Sequence, residues 1–313
     1  MTDQPVTTSS FLEQTEMGIG TWAWGDRLLW GYGGSYQEND LRAAFLSAYE
    51  KGVKFFDTAE TYGQGKSECL LGDFKTEIND NVRIATKFMP YPWRLNRQSL
   101  ARALKGSLKR LKVPYIDLYQ LHMPLPPITI ETWMEAMGES FQSGLIKGVG
   151  ISNFNSVQTE RAHDALIRQG IRLVSNQIEF HLLNRTVEKN GVMALCKSFG
   201  MQIISYSPLA QGLLTGKYGP ENPPGGFRGG RFNKKYLAQI QPLIQAMKRV
   251  GSEHDGKTAA QVAINWVICK GTIPIPGAKT VEQMEQNLGA VGWRLSADEV
   301  EYLGDISDRV TRD

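Results

Sequence analysis

The sequence is sparing with the residues that build metal centres and cross-links. It contains three cysteines, Cys69, Cys196 and Cys269, and four histidines among 313 residues. No Cys-x-x-Cys pair occurs and no two histidines stand at ligand spacing, so neither a metal site nor a disulfide framework is expected. Long apolar runs are missing too; none approaches the ~20 residues needed to cross a bilayer. Charge is almost balanced, with 35 basic and 32 acidic residues leaving a net +3. The densest basic run, Lys109, Arg110 and Lys112, ends a predicted helix and reads as a solvated helix end. No nucleic-acid or membrane partner is therefore expected. Met1–Ser10 is polar, contains Asp3 and no arginine, and lacks the basic-then-apolar order of a secretory signal. Residues 1–16 are expected to form a short unstructured tail on a cytoplasmic protein. Nothing marks a dimer surface, so a monomer is expected.

What the sequence does have is glycine, 32 of them, and enough apolar residues (41%) for a large core. Eight β-like runs alternate with helical stretches: Met17–Gly20, Lys54–Thr58, Val82–Lys87, Ile116–His122, Lys147–Ser152, Leu173–Phe180, Gln202–Ser207 and Thr272–Pro276. Several are nearly continuously apolar, as strands buried on both faces are. Leu41, Phe45 and Ala48 form one helical stripe, with Gly52 as its expected C-cap. Leu100, Leu104, Leu108 and Leu111 form another, begun by Asn96 and stopped by Pro114. Thr258 with Gln261, and Thr280 with Gln283, have the spacing of capping boxes. Eight strand–helix units in sequence predict a single-domain α/β fold, a (β/α)8 TIM barrel over residues 17–313. An open doubly wound sheet is the structural alternative. The Gly- and Pro-rich stretch from Gly212 to Gly230 interrupts the rhythm as a long loop after strand seven, on the face where barrel active sites lie.

Polar residues at the C-terminal ends of barrel strands are the first candidates for chemistry. Asp57, Lys87 and His122 end the second, third and fourth strands, and Tyr62 lies just beyond Asp57. A free phenol is a poor acid at neutral pH, and a neighbouring ammonium is expected to lower its pKa. Lys87 can supply that ammonium, Asp57 can hold the lysine, and His122 can orient a carbonyl whose oxygen gains charge as hydride arrives at carbon.

The run Asp57-Thr58-Ala59-Glu60-Thr61-Tyr62-Gly63, followed by Ser67-Glu68 and Leu71-Gly72, resembles the aldo-keto reductase signature. Ala85-Thr86-Lys87 and Gln120-Leu121-His122 are similar to its next two stations. The resemblance, from about Met17 to Asn287, implies a catalytic tetrad of Asp57, Tyr62, Lys87 and His122, with Tyr62 as general acid, acting on a small carbonyl substrate with NADPH. It also implies the cofactor contacts. Gly20, Thr21 and Trp22 resemble the first loop beneath the cofactor. Ser152, Asn153 and Gln177 match the residues that hold the nicotinamide carboxamide, and Tyr206 the aromatic that stacks on the ring. Ser207, Leu209, Gln211, Gly212 and Lys217 resemble the pyrophosphate loop. Pro276, Gly277, Ala278, Lys279, Gln283, Gln286 and Asn287 resemble the last barrel loop, where Lys279 before a helix start suits the 2′-phosphate and Arg231 assists. Many members of the family carry Glu where Gln286 stands.

On the substrate side, Trp24, Trp30 and Trp93, with Tyr32 and Tyr91, are concentrated in the loops after strands one and three. They are expected to wall a pocket for a flat carbonyl compound beside Tyr62 and His122. The segments Gly20–Gly25, Tyr91–Leu95 and Ala263–Trp266 look most like a plant and cyanobacterial branch of the family that includes pyridoxal reductases, which suggests pyridoxal. The resemblance leaves a second reading open, a regulatory NADPH-binding barrel. Two further readings are weaker on the residues. A glycosidase would pair Asp57 with Glu179 but needs no lysine–tyrosine pair. Gly18-x-Gly20-x-x-Ala23 fits a loose dinucleotide-binding pattern, but the residues after it, Trp24 to Gly34, are not helix-like.

Overall fold

The computed structural model describes residues 8–78, 82–225 and 232–310. Eight parallel strands follow one another in a single sheet in chain order: β1 (Ile19–Gly20), β2 (Phe55–Asp57), β3 (Arg83–Phe88), β4 (Leu118–Leu121), β5 (Val149–Ser152), β6 (Leu173–Glu179), β7 (Gln202–Tyr206) and β8 (Ile273–Ile275). The sheet closes on itself. Gly18 and Gly20 donate their N–H groups to the carbonyls of Pro274 and Pro276, and Gly20 bridges to Gly277 in parallel. This is the expected (β/α)8 barrel. Each strand is found within the run predicted for it or displaced by one residue, and most are shorter, because the barrel pairs only a few residues per strand.

Helices cover the outside, and the sequence places their ends. Glu38–Glu50 buries Leu41, Ala44, Phe45 and Ala48, and the chain leaves it through Gly52 at φ +89°. Arg97–Leu111 begins where Asn96 accepts from the Ser99 N–H. The Thr258 and Gln261 side chains form a full capping box. At Thr280 only half of one forms: Thr280 accepts from the Gln283 N–H, but the Gln283 side chain turns to the Lys279 N–H instead.

Strand alternation sorts the barrel interior into layers. Phe55, Ala85, Leu118 and Ile204 point inward and join an apolar cluster with Val174, Ile273 and Ile275. Two residues further along the same strands, Asp57, Lys87, Gln120 and Tyr206 therefore point inward as well, at the C-terminal end. Residues that alternate with them and point outward, such as Phe56, Tyr119 and Ile203, pack beneath the helices in the larger cluster.

Two expectations are corrected here. Residues Thr8–Glu13, expected within an unstructured tail, form a helix. Its Phe11 and Leu12 are buried in the interior cluster, and Phe11 packs against Phe55 with ring centroids 5.6 Å apart. The polar composition concealed two apolar residues that plug the barrel floor. The stretch after β7 is not wholly irregular either: Ala210–Thr215 makes 3-10 turns, with Leu213 and Leu214 buried. Gly226, Gly229, Gly230 and Arg231 lie outside the described residues.

Candidate active site

A cavity of about 680 Å³ opens at the C-terminal face of the barrel. At its base the inward polar layer forms one connected network. Lys87 is fully buried and donates to Asp57 Oδ2 at 2.5 Å, to the Thr58 carbonyl at 2.8 Å and to Tyr62 Oη at 3.3 Å. The other carboxylate oxygen of Asp57 accepts from Gln177 at 2.7 Å and from Gln120 at 3.2 Å. A buried ammonium and a buried carboxylate thus satisfy each other and keep further hydrogen bonds, the condition for tolerating both in a low-dielectric interior.

The tetrad expected from the sequence is assembled by strand order. Lys87 stands opposite Gln120 in the β3–β4 register, and His122 follows β4 with its N–H on the Phe88 carbonyl. Tyr62 enters on the turn after β2. That turn depends on Gly63, whose φ is +54° and where an added Cβ would sit 2.7 Å from the Gly25 carbonyl oxygen. The Tyr62 and His122 rings meet edge to face with centroids 6.0 Å apart.

The electrostatics differ from the sequence expectation in one respect. Burial raises the Tyr62 pKa above its ordinary value, and Lys87 opposes that rise without reversing it. The phenol is therefore held protonated rather than made more acidic at rest. Burial, the largest single influence, works against the charge on Lys87, but Asp57 and Tyr62 together outweigh it and the ammonium is held above the usual lysine range. His122 is pushed down to about 3 by burial and then by Lys87, so its ring is neutral. Its Nδ1 is buried without a hydrogen-bond partner.

Away from the tetrad, Ser152, Asn153, Gln177 and Tyr206 line the cavity together. Asn153 donates to the His122 carbonyl at 3.2 Å and accepts from Tyr206 Oη at 2.9 Å. Ser207, Leu209, Gln211, Gly212 and Lys217 continue the wall, and Pro276, Gly277, Lys279, Gln283, Gln286 and Asn287 face them. Gly20 lies on the cavity floor, where an added Cβ would meet the Ile275 carbonyl oxygen at 2.8 Å. Lys279 lies over the rings of Tyr36 and Trp30, 4.6 and 5.2 Å from their centroids. Trp22 and Trp30 wall the space beside Tyr62, and their rings meet edge to face at 78° with centroids 5.5 Å apart.

Seven expected residues, Lys87, Thr21, Ala278, Trp24, Tyr32, Tyr91 and Trp93, do not line the cavity. Lys87 lies behind Asp57 and Tyr62. Thr21 is buried under the first loop, where its hydroxyl binds the Asp57 carbonyl and Ser67. Ala278 is buried and accepts from the Trp24 indole N–H at 3.0 Å. Trp24 is therefore a core residue that ties the first barrel loop to the last, not a pocket wall. Trp93 is 72% exposed and stacks flat on Tyr91 outside the cavity. Conversely, Ala23, Thr61, Pro208, Thr215, Tyr218 and Ile275 do line it. Each lies within two residues of an expected one, and only the folded loops show which of them faces inward. Among the described residues, no group of His, Cys, Asp and Glu is placed to hold a metal ion, and no helix is long and apolar enough to cross a membrane.

The sequence profile of the Aldo/keto reductase family matches residues 16–308. The chain is an aldo-keto reductase. It is 41% identical to the chloroplastic pyridoxal reductase of Arabidopsis thaliana, across 92% of this chain and 82% of that one. It is 38% identical to an uncharacterized oxidoreductase of Mycobacterium tuberculosis, across 94% and 89%. Among solved structures, this aldo-keto reductase superimposes on the glycerol dehydrogenase of Gluconobacter oxydans with a TM-score of 0.82 at 26% identity, covering 94% and 92% of the chains. It superimposes on an aldo-keto reductase from Klebsiella pneumoniae, solved with NADPH, with a TM-score of 0.74 at 27% identity, covering 93% and 90%.

Proposed function

We propose that this aldo-keto reductase reduces an aldehyde or ketone to the alcohol with NADPH, that Tyr62 is the proton donor, and that pyridoxal, reduced to pyridoxine, is among its substrates. The observation that carries the reading is the buried Lys87 ammonium shared between Asp57 and the Tyr62 phenol.

The cavity wall fits the cofactor. Ser207, Ala210, Gln211 and Gly212 all have positive φ, the kind of backbone that forms anion-binding concavities suited to a pyrophosphate. Lys279 precedes the helix Val281–Leu288, whose free N–H groups and dipole favour an anion such as the 2′-phosphate. Ser152, Asn153 and Gln177 offer polar groups to the carboxamide, and Tyr206 offers a ring face to the nicotinamide. When bound, the reduced nicotinamide supplies the hydride.

The protein's own residues manage the proton. Tyr62 holds it at Oη and gives it to the carbonyl oxygen. Lys87 stabilises the phenolate that remains, and Asp57 fixes the lysine. His122, held neutral, can donate a ring N–H to the same carbonyl oxygen and orient it. Trp22 and Trp30 favour a flat substrate, in keeping with the identity to the Arabidopsis enzyme. The test is NADPH oxidation against a panel of aldehydes, quinones and pyridoxal, with Tyr62→Phe in parallel. Turnover that disappears in the variant supports the reading, and undiminished turnover overturns it. Persistent NADPH binding without turnover of any compound favours a regulatory cofactor-binding role.

A further inference from the structure

Lys87 and Tyr62 reach each other from different elements. The other two contacts of Lys87, Asp57 and the Thr58 carbonyl, come from β2 and the residue after it. Tyr62 stands on a turn whose next two residues, Gly63 and Gln64, both have positive φ. The 3.3 Å contact between ammonium and phenol therefore depends on what holds that turn against the end of β3.

One ion pair does so. Glu60, two residues before Tyr62, accepts from the Met89 N–H at 2.8 Å, just past Lys87. The same carboxylate binds Arg94 in bidentate fashion, at 2.5 and 3.1 Å. Arg94 returns a hydrogen bond to the Met89 carbonyl at 2.9 Å, and its guanidinium lies 4.8 Å from the centroid of the Phe88 ring. The side chains of Arg94 and Glu60 are only 21% and 8% exposed, so solvent screens this pair weakly.

We propose that Glu60 and Arg94 are positioning residues, whose ion pair buckles the turn carrying Tyr62 to the strand end carrying Lys87 and so maintains the ammonium–phenol contact. The inference rests on Tyr62 being the proton donor. The groups facing the phenol are Lys87 from β3, Asp57 from β2, His122 beyond β4 and Tyr206 from β7; only Lys87 is a cation. Loosening the buckle withdraws that cation and leaves burial unopposed.

The experiment compares wild type, Arg94→Met, Glu60→Gln and Arg94→Lys. It measures kcat, KM and pH profiles with NADPH, and follows the Tyr62 phenol by NMR of tyrosine labelled at Cζ, assigned by its loss in Tyr62→Phe. Arg94→Met and Glu60→Gln are expected to lower kcat about tenfold or more with KM for NADPH unchanged. Their phenol should titrate at higher pH, and Arg94→Lys should recover part of both effects. An unmoved phenol titration in Arg94→Met and Glu60→Gln overturns the proposal, whether activity is kept or is lost through KM or unfolding. Failure of the acid assignment is a different result, undiminished turnover in Tyr62→Phe, and the NMR titration reads the phenol without turnover.

Discussion

Gln177 donates its side-chain amide to Asp57 at 2.7 Å, on the carboxylate oxygen that Lys87 leaves free. The residue expected to hold the nicotinamide carboxamide thus also completes the hydrogen bonding of the tetrad. Gln177→Leu is expected to weaken NADPH binding and lower kcat together. Fluorescence titration of NADPH and steady-state kinetics check both; a change in binding alone would separate the two roles.

Tyr62→Phe removes the proton and little else. Reduction should fall about 10²- to 10⁴-fold, while NADPH binding stays close to wild type. Lys87→Met should be similarly damaging, because the phenolate loses the ammonium beside it. Stopped-flow reduction with parallel binding titrations tests both variants.

Asp57→Asn leaves Lys87 buried without its counter-charge. Breaking a buried pair this way costs roughly 3–5 kcal/mol. A marked drop in the urea midpoint is expected, together with loss of activity. An unchanged midpoint would mean that the ammonium finds another partner or loses its proton.

His122 gives the protein an acid sensitivity of known sign. Its pKa is about 3 in the folded chain and about 6.5 when unfolded. Between these values the unfolded chain binds the extra proton, so the contribution is fully present above the unfolded pKa and is lost as pH falls towards the folded one. Urea midpoints of wild type should therefore decline more steeply than those of His122→Asn from neutral pH down to about 4. Parallel curves would show that His122 is not buried as described.

Asn265 is fully buried in the helix Ala259–Cys269 and clamps the chain beyond the last barrel helix. Its side chain donates to the Ala290 and Trp293 carbonyls and accepts from the Leu295 N–H. Asn265→Ala strands these groups at a cost of about 1–3 kcal/mol for each one left unsatisfied. Thermal unfolding should shift down while KM for NADPH holds.

The sequence by itself determined the barrel and the composition of its site. Apolar strand runs, helix caps and the order of the units specify eight parallel strands, because pleat alternation and backbone capping are local rules. The same alternation puts Asp57, Lys87 and Tyr206 on the inward face. What the tertiary structure decided depends on neighbours distant in the chain. Trp24 and Trp93 look alike in sequence, yet one is locked in the core by Ala278 and the other stacks on Tyr91 in solvent. Phe11 and Leu12 become a floor only because the barrel interior leaves them room. The direction of the Tyr62 pKa follows from how much water the closed barrel removes, which outweighs the nearby ammonium. The clamp between Glu60 and Arg94 joins two loops 34 residues apart, a distance that only folding removes.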